Sequence, residues 1–318
     1  MLPKPKCPVI AIEEHYYDHE LVKHFGPVEP NSAVVDRMYD FGERRLKEMD
    51  EAGIDIQVLS HGAPSTQKLP AETAAALTRR VNDRLHAAVA KNPKRFAAFA
   101  ALPTAVPDAA ADELERTAKL GFKGAMLHGL ANGTFLDDKK FWPIYARAEQ
   151  LDLPIYLHPG LPQPDVLRIY YGDYAADFPS LTRAAWGYTV ETATLAIRLV
   201  LSGVFDKYPK LKIILGHLGE TLPFLVWRVD SALARPGQKS MSFRDVFTSN
   251  FYITTSGNFS NPALLCCVME MGIDHILFAV DWPFVMNPPA TKWMESVPLC
   301  DEDKAKILSG NAKRLLKM

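Results

Sequence analysis

Short apolar runs recur along the chain, each separated from the next by a longer stretch in which apolar positions return every three or four residues. The runs lie at about 8–15, 54–60, 96–103, 123–128, 154–158, 212–217, 251–256 and 275–281. They are apolar at both parities, as strands of a parallel sheet are when both faces are covered. The stretches between them have helical spacing and helical stops. Glu43 to Ala52 runs into Gly53, Asp108 to Leu120 into Gly121, Val190 to Ser202 into Gly203, and Pro262 to Met271 into Gly272. Ala71 to Lys91 ends at Asn92-Pro93, and Phe141 to Leu151, Glu220 to Leu233 and Asp301 to Lys317 complete the series. Eight strand–helix units in succession predict an α/β fold, and their number favours a (β/α)8 TIM barrel over an open sheet. No Gly-x-Gly-x-x-Gly follows the first strand, which weighs against a dinucleotide fold. No repeat or linker divides the chain, so one domain over residues 1–318 is expected. The longest irregular stretch, about Gly160 to Ser180, carries Tyr170, Tyr171, Tyr174 and Phe178.

Composition narrows the functional classes. With Lys+Arg 36 against Asp+Glu 37, the formal net charge is -1, which gives no support to a nucleic-acid partner or an acidic membrane surface. No apolar run reaches the roughly 18 residues of a membrane span, and the first residues are too polar for a signal peptide. The four cysteines include the adjacent pair Cys266-Cys267 in an apolar helical stretch, which reads as buried thiols rather than a disulfide. A cytoplasmic setting follows as the expectation.

Polar residues stand at the ends of four of the apolar runs. They are Glu13, Glu14 and His15 after Val9 to Ile12, His158 after Ile155 to Leu157, His217 after Ile213 to Leu215, and Asp281 after Ile276 to Val280. Each has an ordinary explanation when taken singly. Glu-x-His can be incidental on a strand, and His158 before Pro159 reads equally as a satisfied core histidine or as a ligand. His217 to Glu220 could open a helix, and Asp281 before Trp282-Pro283 could be a turn residue. The joint pattern is different, because the carboxyl ends of all eight barrel strands open onto one face. Buried imidazoles and carboxylates gathered there without partners would cost several kcal/mol, and the same groups are ligands for a divalent metal. Glu13 and His15, two apart, point the same way, and Glu14 points to the opposite face. Lys123 lies too early on its strand, and at the wrong parity relative to His128, to bridge two metals. One divalent ion is therefore expected, zinc or manganese with magnesium also fitting the donors, and no organic cofactor.

These motifs resemble a known family. Glu13-Glu14-His15, Tyr156 to Pro159, Leu215 to Glu220, Trp227-Arg228, Ile253 to Asn258 and Asp281 to Phe284 are similar to those of the amidohydrolase-related metal-dependent decarboxylases, the branch acting on hydroxybenzoates and aminocarboxymuconate semialdehyde. The resemblance runs nearly end to end, and the opening Glu-x-His, in place of the His-x-His of hydrolytic relatives, points to the benzoate branch. It implies that Glu13, His15, His158 and Asp281 hold the metal. It places His217, paired with Glu220, beside that metal as a polarising or proton-handling group. Arg228 would meet the substrate carboxylate, Phe284 and Phe25 would line the ring pocket, and Ser256 and Asn258 would shape it. His128 stands where relatives often carry Asn, and His61 where they are apolar, so both are expected to reach the pocket. The resemblance also implies a homodimer or homotetramer, with interfaces sought around Trp186 and Trp293.

The implied reaction is non-oxidative decarboxylation of an ortho-hydroxylated aromatic acid. Protonating the ring carbon that bears the carboxylate breaks aromaticity, so the step needs electron donation from the neighbouring hydroxyl. Asp281 is the candidate acid, although a carboxylic acid that is neutral near pH 7 requires a pKa well above the ordinary ~3.9. The rival within enzymes is a metal-dependent hydrolase or hydratase of a related small acid, with His217 and Glu220 activating water. A rival of another class, a catalytically dead metal-binding barrel, requires a filled pocket beside the metal.

Overall fold

The computed structural model describes residues 6–25, 33–235 and 242–318. Eight strands follow one another: β1 (Ile10–Tyr16), β2 (Ile56–His61), β3 (Phe96–Ala98), β4 (Ala125–His128), β5 (Ile155–His158), β6 (Ile213–Leu215), β7 (Phe251–Thr254) and β8 (Ile276–Leu277). Every neighbouring pair is parallel, with β1-β2-β3 forming one run and β4-β5-β6-β7-β8 another. Two seams join the runs. Parallel bridges pair Ala100 with Ala125 and Glu14 with Trp282, so that β3 meets β4 and the end of β8 returns to β1. The sheet is thus a closed barrel with no free edge, as the eight alternating units predict.

Helices at Glu43–Ala52, Ala71–Lys91, Pro107–Lys119, Trp142–Leu151, Gly187–Ser202, Leu222–Leu233 and Asn261–Met271 cover the outside close to their expected bounds. Helices at Phe243–Asn250 and Asn287–Ser296 were not expected from periodicity. The stretch expected to be irregular holds helical turns at 164–171 and 179–182, with Tyr170, Tyr174 and Phe178 exposed. Trp293, expected near an interface, is half-buried against the core, its ring 5.6 Å from that of Phe259, and donates its indole N–H to Asn261 at 2.7 Å.

Alternation along the strands sorts side chains into a barrel interior and an outer layer under the helices. Ile10, Ile12, Val58, Phe99, Met126, Tyr156, Ile214 and Leu277 form the interior cluster, closed below by Leu315 and Leu316. Ala11, Tyr16, Leu59, Leu127, Leu157 and Phe278 pack outward. β1 does not keep this alternation throughout. Its register against β2 slips by one between Ala11 and Glu14, so β1 has one residue more than its partner across that interval. With the slip, Glu13 and His15 follow Ile12 inward. Without it they would share the outward side of Ala11, because a one-residue slip exchanges the two faces.

Candidate metal centre

The inward positions at the strand ends converge. One donor atom each from Glu13, His15, His158 and Asp281 lies within 4.8 Å of the others. His15 Nε2 is 3.1 Å from Asp281 Oδ1, and His158 Nε2 is 3.3 Å from Glu13 Oε1. Glu13 Oε1, His15 Nε2 and Asp281 Oδ1 are buried and accept or donate no hydrogen bond. Groups this costly to bury are left facing one another, with two nitrogens and two carboxylate oxygens aimed at a common point. The residues fit a divalent ion of mixed N/O preference.

The surrounding contacts orient each donor. Glu13 Oε2 is gripped by the hydroxyls of Tyr156, Ser256 and Thr254, the last at 3.1 Å, which leaves Oε1 turned to the centre. His15 Nδ1 meets Ser60 Oγ at 3.2 Å, and the His15 carbonyl accepts from the Arg45 guanidinium at 2.7 Å. His158 Nδ1 donates to the Pro159 carbonyl at 2.9 Å, so Nε2 keeps its lone pair. Burial pushes the His158 imidazole down to about 4, which keeps it neutral, as a metal ligand must be.

His217 and Glu220 come from an unusual piece of backbone. His217, Leu218, Gly219, Glu220 and Thr221 all have φ between 53° and 76°, a left-handed turn between β6 and the helix at Leu222–Leu233. The spacing of apolar positions predicts a helix from Glu220; the right-handed helix begins two residues later, at Leu222. Non-glycine residues pay roughly 1–2 kcal/mol each for this conformation, and such strain collects at functional sites. The turn is held by the His217 amide on Ser256 Oγ at 3.0 Å and the Gly219 amide on the Gly216 carbonyl at 2.8 Å. It brings His217 Nδ1 to 2.6 Å from Glu220 Oε1, while Nε2 faces Glu13 Oε1 at 3.6 Å and Asp281 Oδ2 at 3.9 Å. Burial alone would lower the His217 imidazole, but the three carboxylates outweigh it and hold it well above its ordinary range. Burial alone would raise the Asp281 carboxyl, but contacts with His15 and His217 hold it below its ordinary range.

A cavity of about 1190 Å³ opens beside this cluster. His158, His217, Glu220, Asp281, Phe284, Asn258, Tyr17, Tyr188, Trp186 and Arg183 are among its lining residues. Phe284 is half-exposed and its ring centre lies 5.7 Å from that of His15, so it forms a wall next to the donors. This volume leaves ample room for a single-ring acid, and a filled-pocket scaffold does not describe it. A separate hollow of about 340 Å³ lies at the opposite barrel end around Lys123, Phe122 and Met318, far from the donor set.

Three expected pocket residues are placed elsewhere. Arg228 is exposed on the helix at Leu222–Leu233 and does not line the cavity. Leu222 and Val226 form that helix's buried face, and a residue two beyond Val226 turns about 200° away from it. His61 shares the outward parity of Leu59; its Nε2 accepts from the Asp18 amide at 3.0 Å and its Nδ1 donates to the Gly62 carbonyl at 2.8 Å. The inward β2 residue is Ser60. Phe25 packs edge-on against His61, following it away from the cavity wall. His128 does turn inward, its ring 4.8 Å from that of His158 and neither ring nitrogen hydrogen-bonded to the protein, but it is buried behind His158 and does not line the cavity. The sequence gives no site role to Arg183, Tyr156 or Ser60; the parity of Tyr156 with His158, inside a motif already noted, is the one signal available for any of them.

Comparison with known proteins agrees with this geometry. The family model described as Amidohydrolase matches residues 17–318. The chain is 42% identical to a γ-resorcylate decarboxylase of Polaromonas sp., over 97% of this chain and 98% of that protein. It superposes on a Polaromonas dihydroxybenzoic acid decarboxylase holding manganese and the inhibitor 2-nitroresorcinol with a TM-score of 0.89 at 42% identity, covering 98% of this chain and 97% of the other. It superposes on a 2,6-dihydroxybenzoate decarboxylase in complex with 2,6-dihydroxybenzoate with a TM-score of 0.90 at 40% identity, covering 98% and 100%.

Proposed function

Since the chain belongs to the amidohydrolase family, we propose that it is a metal-dependent carboxy-lyase that removes CO2, without oxidation, from an ortho-hydroxylated aromatic carboxylic acid. The observation that carries this reading is the buried set of Glu13, His15, His158 and Asp281 opening onto a cavity with an aromatic wall, in a chain this similar to hydroxybenzoate decarboxylases. The ion we assign is manganese, which a structural relative holds. Zinc also fits two imidazoles with two carboxylates.

A bound divalent ion supplies Lewis acidity, which favours the ionised ortho hydroxyl and fixes the neighbouring carboxylate. The chain's own residues do the rest. Phe284 presents a wall to the ring. Asp281, which His15 and His217 keep ionised at rest, takes the proton that the ortho hydroxyl loses and delivers it to the ring carbon bearing the carboxylate; the bond to CO2 then breaks, its electron pair restores aromaticity, and the product is left as a phenolate. His217, kept cationic by Glu220, is 3.9 Å from Asp281 and close enough to pass on, through it, the proton that turns this phenolate into the phenol. Its protonated state suits an acid better than a base for water, which favours decarboxylation over the hydrolase or hydratase alternative. Arg183 is the guanidinium on the cavity wall and offers an anionic substrate its long-range attraction.

We assign the whole chain, residues 1–318, to one catalytic domain. Phe224, Met269 and Trp186 are exposed around the cavity mouth, which supports a homodimer or homotetramer closing over it. Among the described residues no helix is long and apolar enough to cross a membrane. Cys266, Cys267 and Cys300 are free thiols, which supports a cytoplasmic setting. Release of CO2 from a panel of hydroxybenzoates, abolished by chelation and restored by manganese, is the expected result. Activity confined to esters, amides or lactones would overturn the proposal.

A further inference from the structure

Glu14 is the one acidic residue of Glu13-Glu14-His15 that does not face the donor cluster. The register slip that turns its neighbours inward turns Glu14 into the seam between β1 and the end of β8. It is fully buried. Its Oε1 accepts the amide of Val280 at 2.9 Å and its Oε2 the amide of Trp282 at 3.1 Å. The residue between those two amides is Asp281, whose φ of 76° is one that a side-chain-bearing residue rarely adopts. The Asp281 amide donates to the Glu13 carbonyl at 3.0 Å, and the His15 amide donates to the Trp282 carbonyl at 2.7 Å. Arg45 backs the same seam, its guanidinium 4.0 Å from the centre of the Trp282 ring and bonded to the His15 carbonyl.

We propose that Glu14 is a positioning residue that acts through Asp281, its two carboxylate oxygens bracketing the left-handed residue by the amides on either side. The geometry requires two acceptors a carboxyl width apart. Glutamine would set its own N–H2 against one of the amides, and aspartate is shorter by one methylene. The seam also links both ends of the donor set. β1 supplies Glu13 and His15, the end of β8 supplies Asp281, and Glu14 ties the backbones of the two together. This inference rests on the reading of Asp281 as both ligand and acid.

The experiment is a double-mutant cycle of Glu14→Gln and Asp281→Asn on the manganese-loaded full chain, with 2,6-dihydroxybenzoate as the probe substrate. The readouts are kcat, KM, and the manganese Kd from the EPR signal of free Mn²⁺. Glu14→Gln alone is expected to lower kcat at saturating manganese at least tenfold, to change KM less than threefold, and to weaken manganese binding about tenfold. In the Asp281→Asn background the same change is expected to add less than twofold to either loss. A folded Glu14→Gln protein with unchanged kcat and manganese Kd would overturn the proposal. Losses repeated in full in the Asp281→Asn background would overturn it too, because Glu14 would then act elsewhere. If Glu14→Gln does not fold, Glu14→Asp, which keeps both acceptors, takes its place in the cycle and is judged by the same coupling. Failure of the underlying reading shows separately, as an Asp281→Asn single variant with normal turnover.

Discussion

Ser256→Ala is the most informative single truncation at the metal centre, because one hydroxyl serves two functional groups. Ser256 Oγ donates to Glu13 Oε2 and accepts the His217 amide at 3.0 Å, with Thr254 Oγ1 2.9 Å away. Removing it takes a charge-assisted hydrogen bond from Glu13, about 1.5–3 kcal/mol, and strands a part-buried amide at about 1–3 kcal/mol. Tyr156 and Thr254 still hold Glu13, and water entering the vacated space recovers part of the loss. The expected drop in unfolding free energy is therefore about 2–4 kcal/mol. Loss of an oxygen that orients a metal ligand typically weakens binding 10–100-fold, and the surviving grip of the other two hydroxyls puts this variant at the lower end. Urea unfolding of the metal-free protein measures the first quantity, and competition against a fluorescent chelator measures the manganese Kd. Thr255→Val is the control. Its hydroxyl donates to the Ala279 carbonyl at 2.9 Å and accepts the Ala279 amide at 3.0 Å, so that change is expected to cost stability and leave the Kd alone. A Ser256→Ala protein with an unchanged urea midpoint and a manganese Kd within twofold of wild type would refute this account of the centre.

Three further outcomes follow from the geometry. Arg183→Met is expected to raise KM for a hydroxybenzoate several-fold with kcat little changed, and to do so more than Arg228→Met in dilute protein; steady-state kinetics of the two variants checks the reassignment. Gly219→Ala places a Cβ 2.9 Å from Ile253 and Pro223 at a φ of 76°, so a loss of about 2–4 kcal/mol and a kcat lowered by displacement of His217 are expected from thermal melts and turnover. Glu191, buried on the helix at Gly187–Ser202, has its carboxyl raised by burial from 4.5 to about 7, so the folded chain holds a proton that the unfolded chain gives up. Stability should therefore decline as pH rises from 4.5 and level off above 7, and Glu191→Gln should melt higher than wild type at about pH 8 and nearly equally at about pH 4.

The parts of the molecule legible in the sequence were those governed by local alternation. Eight apolar runs with helical spacing between them specify the barrel, and its strand ends gather Glu13, His15, His158, His217 and Asp281 on one face; the family resemblance, not the alternation, singles out four of them as candidate donors. The misreadings came from non-local geometry. His61 and Ser60 are adjacent, and only the packing of Leu59 beneath the helices shows that Ser60, not His61, faces the centre. Arg228 follows a motif, yet a helix places residues by its own period, and that period leaves Arg228 in solvent. Arg183 lies in a segment without any periodic pattern, so nothing in the sequence connected it to the cavity. The slip in β1 is also invisible locally, since an extra residue in a strand is defined only against its partner.

Charge explains why these residues serve a divalent ion and an anionic substrate together. Glu13, Asp281 and Glu220 bring three carboxylates to the centre, His217 held cationic by Glu220 returns one positive charge, and His158 is kept neutral by burial. The chain alone thus gathers more carboxylates than cations in a mostly buried space, an imbalance that a divalent ion would offset. An aromatic acid with an ionised carboxylate and an adjacent hydroxyl adds negative charge, which favours Asp281 taking up the hydroxyl's proton and passing it to the ring. Loss of CO2 carries no charge away by itself, so the negative charge stays on the product phenolate until a proton reaches it by way of His217 and Asp281. The pairing of His217 with Glu220, and the left-handed turn that makes the pairing possible, therefore matter most after the carbon–carbon bond has broken. A His217→Asn variant should show its largest defect in repeated turnover rather than in the first, and a single-turnover rate that falls as far as steady-state kcat would count against this assignment.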